Sequence, residues 1–210
     1  MDVVIFGAGG LGREIYDTLL TINAGGQGTQ YQVLGFIDQV KAPGTLVNGV
    51  PVLGGSEALA ALRGRAAMII GIADAGVRKK LHQQYRADFA FPNIIHPTAQ
   101  VSGFARLGSA ILIQAYCIVA ANASLGDGVM MNAHSGVGHD AQVEDYCAIM
   151  SYCDLAGGSQ LGTLSFVGTG AKVIPSTRIA AESYLCAGTV VFKDVLEKSK
   201  LMGNPAKIIG

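Results

Sequence analysis

The sequence predicts two structures in series: an α/β N-terminal Rossmann-like half-domain, followed by a left-handed parallel β-helix of hexapeptide repeats. The β-helix is predicted because an aliphatic residue or a methionine recurs at every sixth position from Val101 to Val191. This period fits neither an α-helix nor an ordinary strand, and is typical of a solenoid with one short strand and one corner per hexad. The residues before the repeat instead alternate apolar runs, a glycine-rich turn and helical patterns. We therefore expect two domains, 1–92 and 93–210.

The first ninety residues show the order of a doubly wound α/β domain: strand, glycine turn, helix, and a strand with a terminal acid. The first helix carries Ile15, Leu19 and Leu20 on one face. In chain order we expect a strand at Val3–Phe6, a turn at Gly7–Gly12, a connection at Ala24–Gly28, a strand at Tyr31–Ile37, a connection at Lys41–Gly49, a strand at Met68–Ile72 and a helix at Gly76–Tyr85. This length holds only a mononucleotide-sized half of the fold.

The glycine turn Gly7–Gly12 lies between a predicted strand and a predicted helix. Such a turn brings backbone N–H groups and the helix dipole close to a phosphate. A turn needed only for close packing of strand and helix is the structural alternative. Because a dinucleotide needs both halves of the fold, a nucleotide-linked ligand fits this domain better. Asp38, at the end of the second strand, is expected to accept hydrogen bonds from its ribose or base.

The repeat runs for sixteen hexads, which at three strands per coil make a little over five coils. A small residue stands two positions before most of the aliphatic residues. Cys117, Cys147 and Cys153 occupy such positions and are expected in the core, whereas Cys186 is expected to face outward. The segment 192–210 leaves the repeat and is expected to cover the last coil, whose open edge would otherwise pair with other chains.

The amino-acid composition argues against nucleic acid and membranes as binding partners. Half of the 210 residues are hydrophobic, 14% are charged, and the formal net charge is zero. Without excess basic charge, nucleic acid is not an expected partner. No apolar run reaches the length of a membrane span, and the N-terminus lacks the basic region of a signal peptide, so we expect a cytoplasmic protein that does not bind membranes. Because few charges are available to solvate the exterior, we expect some surface to be buried between subunits.

His139 and Asp140 are adjacent in the repeat. A carboxylate beside an imidazole raises its basicity and holds its tautomer, as a general base requires. Eighteen residues make one coil, so Gly157 is expected directly above His139 and Ala121 directly below. A glycine there leaves room and a free N–H that can stabilise the oxyanion of a thioester carbonyl. His82, by contrast, lies in a charged helical segment and is expected at the surface.

A zinc site is the alternative reading of the histidines. His134 and His139 have the spacing seen in gamma-class carbonic anhydrases, in which a third histidine lies two coils earlier. Here Thr98 and Gly103 occupy the positions two coils earlier. Threonine is a poor zinc ligand and glycine offers no side chain, so we expect no metal.

With these motifs, the chain resembles the NeuD-type bacterial sugar acetyltransferases, a family of sialic acid O-acetyltransferases and N-acetyltransferases of nucleotide-linked 4-amino sugars. The resemblance covers essentially the whole chain. It rests on the repeat itself and on Gly7–Gly12, Phe36–Asp38, Ile95–Pro97, Gly138–Asp140, Leu155–Gly158 and Gly203–Lys207. It implies a homotrimer with active sites between subunits, acetyl-CoA along the solenoid groove, and the sugar's nucleotide in the first domain.

The resemblance also implies roles for individual residues. His139 matches the general base, and Asp140 matches the acid that raises its basicity. Gly157 matches a backbone contact to acetyl-CoA, and Ala148 stands where the family has a histidine that reaches the same molecule. The implied sugar-nucleotide contacts are Gly9, Gly10, Leu11, Asp38 and Ala73, the last of which stands where the family has glycine.

The expected reaction is direct transfer of acetyl from acetyl-CoA to the amino group of a nucleotide-linked 4-amino-4-deoxy sugar. The nucleotide-type turn favours this acceptor over a free or polymer-bound sialic acid. Two alternatives stay open: an O-acetyltransferase acting on sialic acid or a related sugar, and a sugar-nucleotide-binding trimer without transferase activity. The second alternative rests on Ala148, which replaces the family histidine. Asp38 can accept hydrogen bonds from several nucleobases, so the sequence does not distinguish UDP, GDP and dTDP as the nucleotide.

Overall fold

The computed structural model describes residues 1–26 and 28–209. Gln27, inside the predicted connection Ala24–Gly28, and Gly210, at the end of the predicted second domain, lie outside the described residues. The described chain forms two compact units, Met1–Pro97 and a second unit that begins at Thr98.

The first unit is built around one sheet. Its elements are β1 (Asp2–Phe6), α1 (Gly10–Ala24), β2 (Gln32–Ile37), β3 (Leu46–Val47), β4 (Val50–Gly54), a 3₁₀-helix (Ser56–Leu62), β5 (Ala67–Ile70), α2 (Ala75–Tyr85) and β6 (Ile94–Ile95). The sheet order is β3-β4-β2-β1-β5. Because β1 pairs in parallel with β2 and β5, the carboxyl ends of these three strands meet at one edge. The glycine turn follows β1 there, Asp38 follows β2, and Ala73 lies shortly after β5.

The helices of the first unit bury faces that differ from those their sequences predict. Ile15 and Leu19 of α1 are fully buried, whereas Leu20 is 47% exposed. The expectation that His82 lies at the surface is wrong: it is 6% exposed, and its ring centroid lies 4.7 Å from that of Phe91. His82 belongs to the buried face of α2 together with Arg78, Leu81 and Tyr85. Helical spacing thus overrides the polar composition of this segment.

The predicted connection Lys41–Gly49 contains regular structure that the sequence analysis missed. β3 and β4 form an antiparallel hairpin in which Val47 is paired with Val50. The two intervening residues, Asn48 and Gly49, have φ of 50° and 82°. Two consecutive positive φ angles define a type I′ turn, for which Asn-Gly is a favoured sequence. The dipeptide Asn48-Gly49 therefore predicts the hairpin from the sequence alone.

The second unit is a parallel β-helix whose sixteen strands each end on a predicted aliphatic position. They are β7 (Gln100–Val101), β8 (Arg106–Leu107), β9 (Leu112–Ile113), β10 (Ile118–Val119), β11 (Ser124–Leu125), β12 (Met130–Met131), β13 (Gly136–Val137), β14 (Gln142–Val143), β15 (Ala148–Ile149), β16 (Asp154–Leu155), β17 (Gln160–Leu161), β18 (Phe166–Val167), β19 (Lys172–Val173), β20 (Arg178–Ile179), β21 (Tyr184–Leu185) and β22 (Val190–Val191).

These strands stack into three faces. Sheet I contains β7, β10, β13, β16, β19 and β22, sheet II contains β8, β11, β14, β17 and β20, and sheet III contains β9, β12, β15, β18 and β21. Corner I–II, corner II–III and corner III–I are named after the sheets they join. Val119 pairs with Val137, and Val137 pairs with Leu155. The predicted register of eighteen residues per coil is therefore confirmed.

Stacked aliphatic side chains fill the interior of the solenoid. In sheet III the inward residues Ile113, Met131, Ile149, Val167 and Leu185 are all fully buried. The thiols of Cys117, Cys147 and Cys153 are buried as expected. Each donates a hydrogen bond of 3.1 Å to a backbone carbonyl. Burial raises the pKa of the Cys117 thiol and raises that of the Cys153 thiol to about 11, so these two groups are unreactive core side chains.

The segment after Val191 lies on the last coil. Its strand β23 (Lys200–Met202) pairs in parallel with β21, and β24 (Lys207–Ile208) pairs antiparallel with β23. Val195 forms a further bridge to Ile179. These pairings occupy strand edges that the solenoid would otherwise leave open. Across residues 1–26 and 28–209, no helix is both long enough and apolar enough to cross a membrane.

Candidate active site

The predicted general base lies on corner I–II, where three side chains form a hydrogen-bonded row. Nδ1 of His139 is 2.8 Å from Oδ2 of Asp140, and Nδ2 of Asn122 donates to Oδ1 of the same carboxylate over 3.2 Å. An ionised carboxylate only accepts hydrogen bonds, so Nδ1 carries the proton and Nε2 keeps a free lone pair. This is the tautomer that a general base needs.

Asn122 is a functional candidate that the sequence reasoning missed. It lies eighteen residues before Asp140, one coil away on the same corner, and both residues have φ of 60°. Asparagine and aspartate tolerate this left-handed conformation better than most residues. The signal was available in the sequence, because the register that placed Gly157 above His139 also places Asn122 below Asp140.

The hydrogen bonds around Asp140 favour its charged form. The hydrogen bond with His139, followed by that from Asn122, lowers the pKa of the Asp140 carboxyl. The side chains of His139 and Asp140 are 72% and 58% exposed in the isolated chain. The carboxylate is therefore held charged beside the imidazole, and the pair is preorganised yet open to solvent on its outer side.

Gly157 occupies the position that the register predicts. The N–H of the next residue, Gly158, donates to the carbonyl of His139 over 2.8 Å, which fixes the two coils against each other. A Cβ at Gly157 would lie 2.5 Å from Nε2 of His139, closer than any real contact. The imidazole therefore occupies the space that any larger residue at position 157 would take, and the reactive nitrogen faces this backbone.

In the first unit, the glycines of the predicted nucleotide turn are of two kinds: some are closely packed, and others border open space. A Cβ at Gly12 would lie within 1.9 Å of the carbonyl oxygen of Gly7, and one at Gly71 would lie 2.8 Å from the Cα of Gly12. These glycines are required for close strand–helix contact. At Gly9 and Gly10, by contrast, a Cβ would meet nothing within 4 Å.

The N-terminus of α1 suits an anion. Gly9 caps the helix without a side-chain hydrogen bond, and the first turn contains no acidic residue. The first backbone N–H groups of a helix have no intrahelical partners, and the helix dipole favours negative charge at this end. An open cleft of ≈ 440 Å³ adjoins the turn, and Gly9, Arg13 and Lys41 are among the residues that line it.

Asp38 has a structural role in the described chain. Its Oδ2 accepts the N–H of Ala8 over 2.9 Å, and its Oδ1 accepts the N–H groups of Val40 and Lys41. Burial raises the pKa of the Asp38 carboxyl, but these backbone hydrogen bonds outweigh it, and the net pKa is lowered. The carboxylate thus ties the glycine turn to the end of β2. Its contact with a nucleoside stays a prediction.

The two remaining predicted contacts differ in exposure, because Ala73 is exposed whereas Ala148 is buried. The carbonyl of Ala73 accepts a hydrogen bond from the guanidinium of Arg78, itself 4% exposed. Ala148 lies in β15 between Met130 and Phe166 of the neighbouring coils and is 1% exposed. Its methyl group presents almost no surface to a ligand, and its role toward acetyl-CoA stays a prediction. Within the described part of the chain, no three His, Cys, Asp or Glu residues are grouped to hold a metal ion.

Known proteins resemble both units. Residues 2–85 match the PglD N-terminal domain family. GDP-perosamine N-acetyltransferase from Escherichia coli is 29% identical over 170 residues, which are 80% of this chain and 76% of that protein. PerB from Caulobacter crescentus, solved with CoA and GDP-perosamine, is 34% identical with a TM-score of 0.91, covering 100% of this chain and 98% of that one.

Two further structures of the Caulobacter perosamine N-acetyltransferase carry asparagine or alanine in place of one histidine. The acetyltransferase domain of PglB from Neisseria gonorrhoeae, solved with acetyl coenzyme A, is 27% identical with a TM-score of 0.91, over 99% of this chain and 98% of that one. These matches extend over both units, so the relatives share the glycine turn as well as the solenoid. The chain therefore belongs to the NeuD-type family of bacterial sugar acetyltransferases.

Proposed function

We propose that this protein transfers the acetyl group of acetyl-CoA to the amino group of a nucleotide-linked 4-amino-4-deoxy sugar, with His139 as the general base. The observation that carries the proposal is the position of His139 Nε2, which faces the backbone of Gly157 while Nδ1 is hydrogen-bonded to Asp140. The relatives that act on or bind GDP-perosamine and CoA support the same substrate classes. They also favour N-acetylation over O-acetylation.

The proposed reaction proceeds by direct transfer. The sugar amine attacks the thioester carbonyl, and His139 Nε2 takes the proton that the nitrogen loses. Asp140 stabilises the imidazolium that forms. The C–S bond then breaks, and the departing CoA sulfur receives the proton from His139. General-base catalysis of this kind is worth roughly 10²–10⁴-fold in rate, and alignment of the two substrates supplies much of the remainder.

The N–H of Gly157 is the proposed donor to the oxyanion. No hydrogen bond within residues 1–26 and 28–209 engages this group. Because no side chain stands at this position, a thioester can approach the backbone closely. A preorganised N–H aimed at developing negative charge costs no reorganisation during the reaction.

The first unit is proposed to bind the nucleotide, with Gly9, Gly10 and Leu11 at the phosphates and Asp38 near the nucleoside. The open space at the two glycines, the uncapped N-terminus of α1 and the basic side chains of Arg13 and Lys41 support this assignment. A homotrimer is proposed because the pair His139–Asp140 is exposed in the isolated chain, and a neighbouring subunit would exclude water from it. A cytoplasmic location is part of the same proposal.

The test is a thiol-release assay with acetyl-CoA and a panel of UDP-, GDP- and dTDP-linked 4-amino sugars. We expect transfer to one of these acceptors, and a loss of roughly 10²–10⁴-fold in kcat for His139→Ala, with the affinity for the sugar nucleotide nearly unchanged. Gln160→Ala, an exposed change on sheet II, is the control and should keep wild-type turnover. Wild-type kcat in His139→Ala would rule out the base, and no transfer to any acceptor would rule out the activity.

A further inference from the structure

Arg78 is a buried arginine on the inner face of α2. Among residues 1–26 and 28–209, every other Lys, Arg, Asp and Glu is at least partly exposed, whereas Arg78 is 4% exposed. Its guanidinium is always protonated, and burial of a charge is unfavourable unless the group is hydrogen-bonded. The hydrogen bonds of Arg78 therefore indicate what its burial serves.

The guanidinium of Arg78 binds the segment that leads from β5 to α2. Its Nη1 donates to the carbonyl of Ala73, and the carbonyl oxygen of Ile72 lies 3.5 Å from the same nitrogen. The end of the segment is fixed as well, since Oδ1 of Asp74 accepts the N–H of Val77 over 2.8 Å at the start of the helix. Arg78 thus holds two consecutive carbonyls of this segment toward the interior.

The same contacts determine where the N–H groups of this segment point. Its peptide bonds are trans, and in a trans peptide the C=O and N–H groups are coplanar and point in opposite directions. Because the carbonyls of Ile72 and Ala73 face Arg78, the N–H groups of Ala73 and Asp74 point away from it. No hydrogen bond within residues 1–26 and 28–209 engages either N–H, and both residues are exposed. The segment therefore presents two adjacent donors to solvent.

These donors belong to a segment that packs against the glycine turn. The N–H of Gly71 donates to the carbonyl of Phe6 over 2.8 Å. A Cβ at Gly7 would lie 2.8 Å from the carbonyl oxygen of Gly71 and 3.0 Å from Cγ1 of Ile72. The segment and the turn are thus in direct contact at the carboxyl edge of the sheet, which is where open α/β sheets bind their ligands.

We propose that Arg78 is a positioning residue for the sugar nucleotide. Its guanidinium turns the carbonyls of Ile72 and Ala73 inward and so directs the N–H groups of Ala73 and Asp74 at an acceptor oxygen of the ligand. The Asp74 carboxylate, beside both donors, would repel a phosphate. The acceptor is therefore an uncharged oxygen, either a hydroxyl of the ribose or sugar or a carbonyl of the base. The inference rests on the proposed function, which supplies the sugar nucleotide.

Calorimetric titration of the full-length protein tests this role without turnover. The six probes are UDP, GDP and dTDP, and UDP-glucose, GDP-mannose and dTDP-glucose. Arg78→Met keeps an apolar stem but removes the donors, and we expect affinity to fall about tenfold, as for the loss of one or two neutral hydrogen bonds. A loss shared by the nucleoside diphosphate places the acceptor oxygen on the nucleoside, and a loss confined to the sugar nucleotide places it on the sugar. Wild-type affinity of Arg78→Met for every probe would overturn the proposal.

Two further variants show whether the guanidinium itself is responsible. Arg78→Lys keeps a charged donor but not the planar fork, and it should recover part of the lost affinity. Lys80→Met removes a charge from an exposed position of the same helix and should bind like wild type. An equal loss in Lys80→Met would attribute the effect to net charge and contradict a positioning role.

Asp74→Pro tests one of the two N–H groups while Arg78 stays intact. Asp74 has φ of −65°, the value that proline fixes, so the change deletes the N–H without altering this angle. Asp74→Ala is the matched control, because it loses the same helix cap but keeps the N–H. We expect Asp74→Pro to bind the sugar nucleotide about two- to tenfold more weakly than Asp74→Ala. Equal dissociation constants for these two variants would refute the proposal even if Arg78→Met does not fold.

A merely structural role of Arg78 predicts a different result. Partial misfolding lowers the fraction of active protein, which reduces kcat and the calorimetric stoichiometry but leaves the dissociation constant and KM unchanged. Positioning instead raises KM for the sugar nucleotide and leaves KM for acetyl-CoA unchanged. A reduced kcat with unchanged KM in Arg78→Met would therefore contradict the proposal. Binding of sugar nucleotides without acetyl transfer would contradict the proposed function but not the positioning role, and binding of none of the six probes by the wild type would contradict both.

Discussion

At the scale of single residues, one hydrogen-bonded row determines what His139 can do. Asp140 accepts the hydrogen bond from Nδ1–H and so leaves Nε2 as the basic atom, while the Asn122 amide donates to the second carboxylate oxygen. Without Asn122, the carboxylate could rotate away from the imidazole, because its own side chain is more than half exposed. Asn122 is therefore a positioning residue that acts through Asp140.

Asp140→Asn and Asn122→Gly separate the two roles in this row. Asp140→Asn removes the charge that supports the imidazolium, and kcat should fall about 10- to 100-fold, the range for a hydrogen bond to a charged group. Asn122→Gly keeps the backbone conformation but removes the donor, and we expect a smaller loss, about two- to tenfold.

The pH profile of kcat/KM tests whether Asn122 acts on catalysis through Asp140. The hydrogen bonds from His139 and Asn122 lower the pKa of the Asp140 carboxyl. Because an imidazole is ordinarily protonated at a higher pH than a carboxyl, Asp140 is charged throughout the pH range in which a histidine can act as a base. Asn122→Gly should raise the Asp140 pKa only toward its usual value, so we expect kcat/KM to fall by the same factor across that range. Wild-type kcat/KM at every pH together with a lower melting temperature would assign Asn122 a purely structural role.

At the scale of elements, the turn between β1 and α1 contains glycines of two kinds. Gly7 and Gly12 approach each other, and Gly71 after β5 approaches both, so closely that no side chain fits, whereas Gly9 and Gly10 border open space. The sequence presents the four glycines of the turn as one motif. Only their surroundings separate a packing requirement from a binding surface.

Gly12→Ala and Gly10→Ala test this division. At Gly12 the new methyl group would collide with the Gly7 carbonyl, and we expect a loss of about 1–3 kcal/mol of stability, as for other overpacked sites. At Gly10 the methyl group meets nothing, so the melting temperature should be equal or slightly higher, and affinity for the sugar nucleotide should fall. Differential scanning calorimetry and nucleotide titration measure both. Normal nucleotide affinity in a stable Gly10→Ala protein would remove this turn from the binding site.

At the scale of the whole molecule, the distribution of apolar surface bears on assembly. Large apolar residues on the solenoid remain exposed in the single chain, among them Phe104, Ile118 and Phe192. The proposed homotrimer should give a mass of three times 21.7 kDa, roughly 65 kDa for a closed cyclic assembly. Light scattering coupled to size-exclusion chromatography measures it. A monomeric mass at micromolar concentration with full activity would contradict active sites between subunits.

The sequence by itself determined the solenoid, because a period of six forces one inward aliphatic residue per strand and so defines the register of every coil. That register placed Gly157 beside His139 and put three cysteines in the core. The tertiary structure alone decided which polar groups meet: Asn122 on Asp140, the backbone of the glycine turn on Asp38, and His82 against Phe91. Such contacts depend on side-chain direction and on burial by residues distant in sequence, which no periodicity encodes.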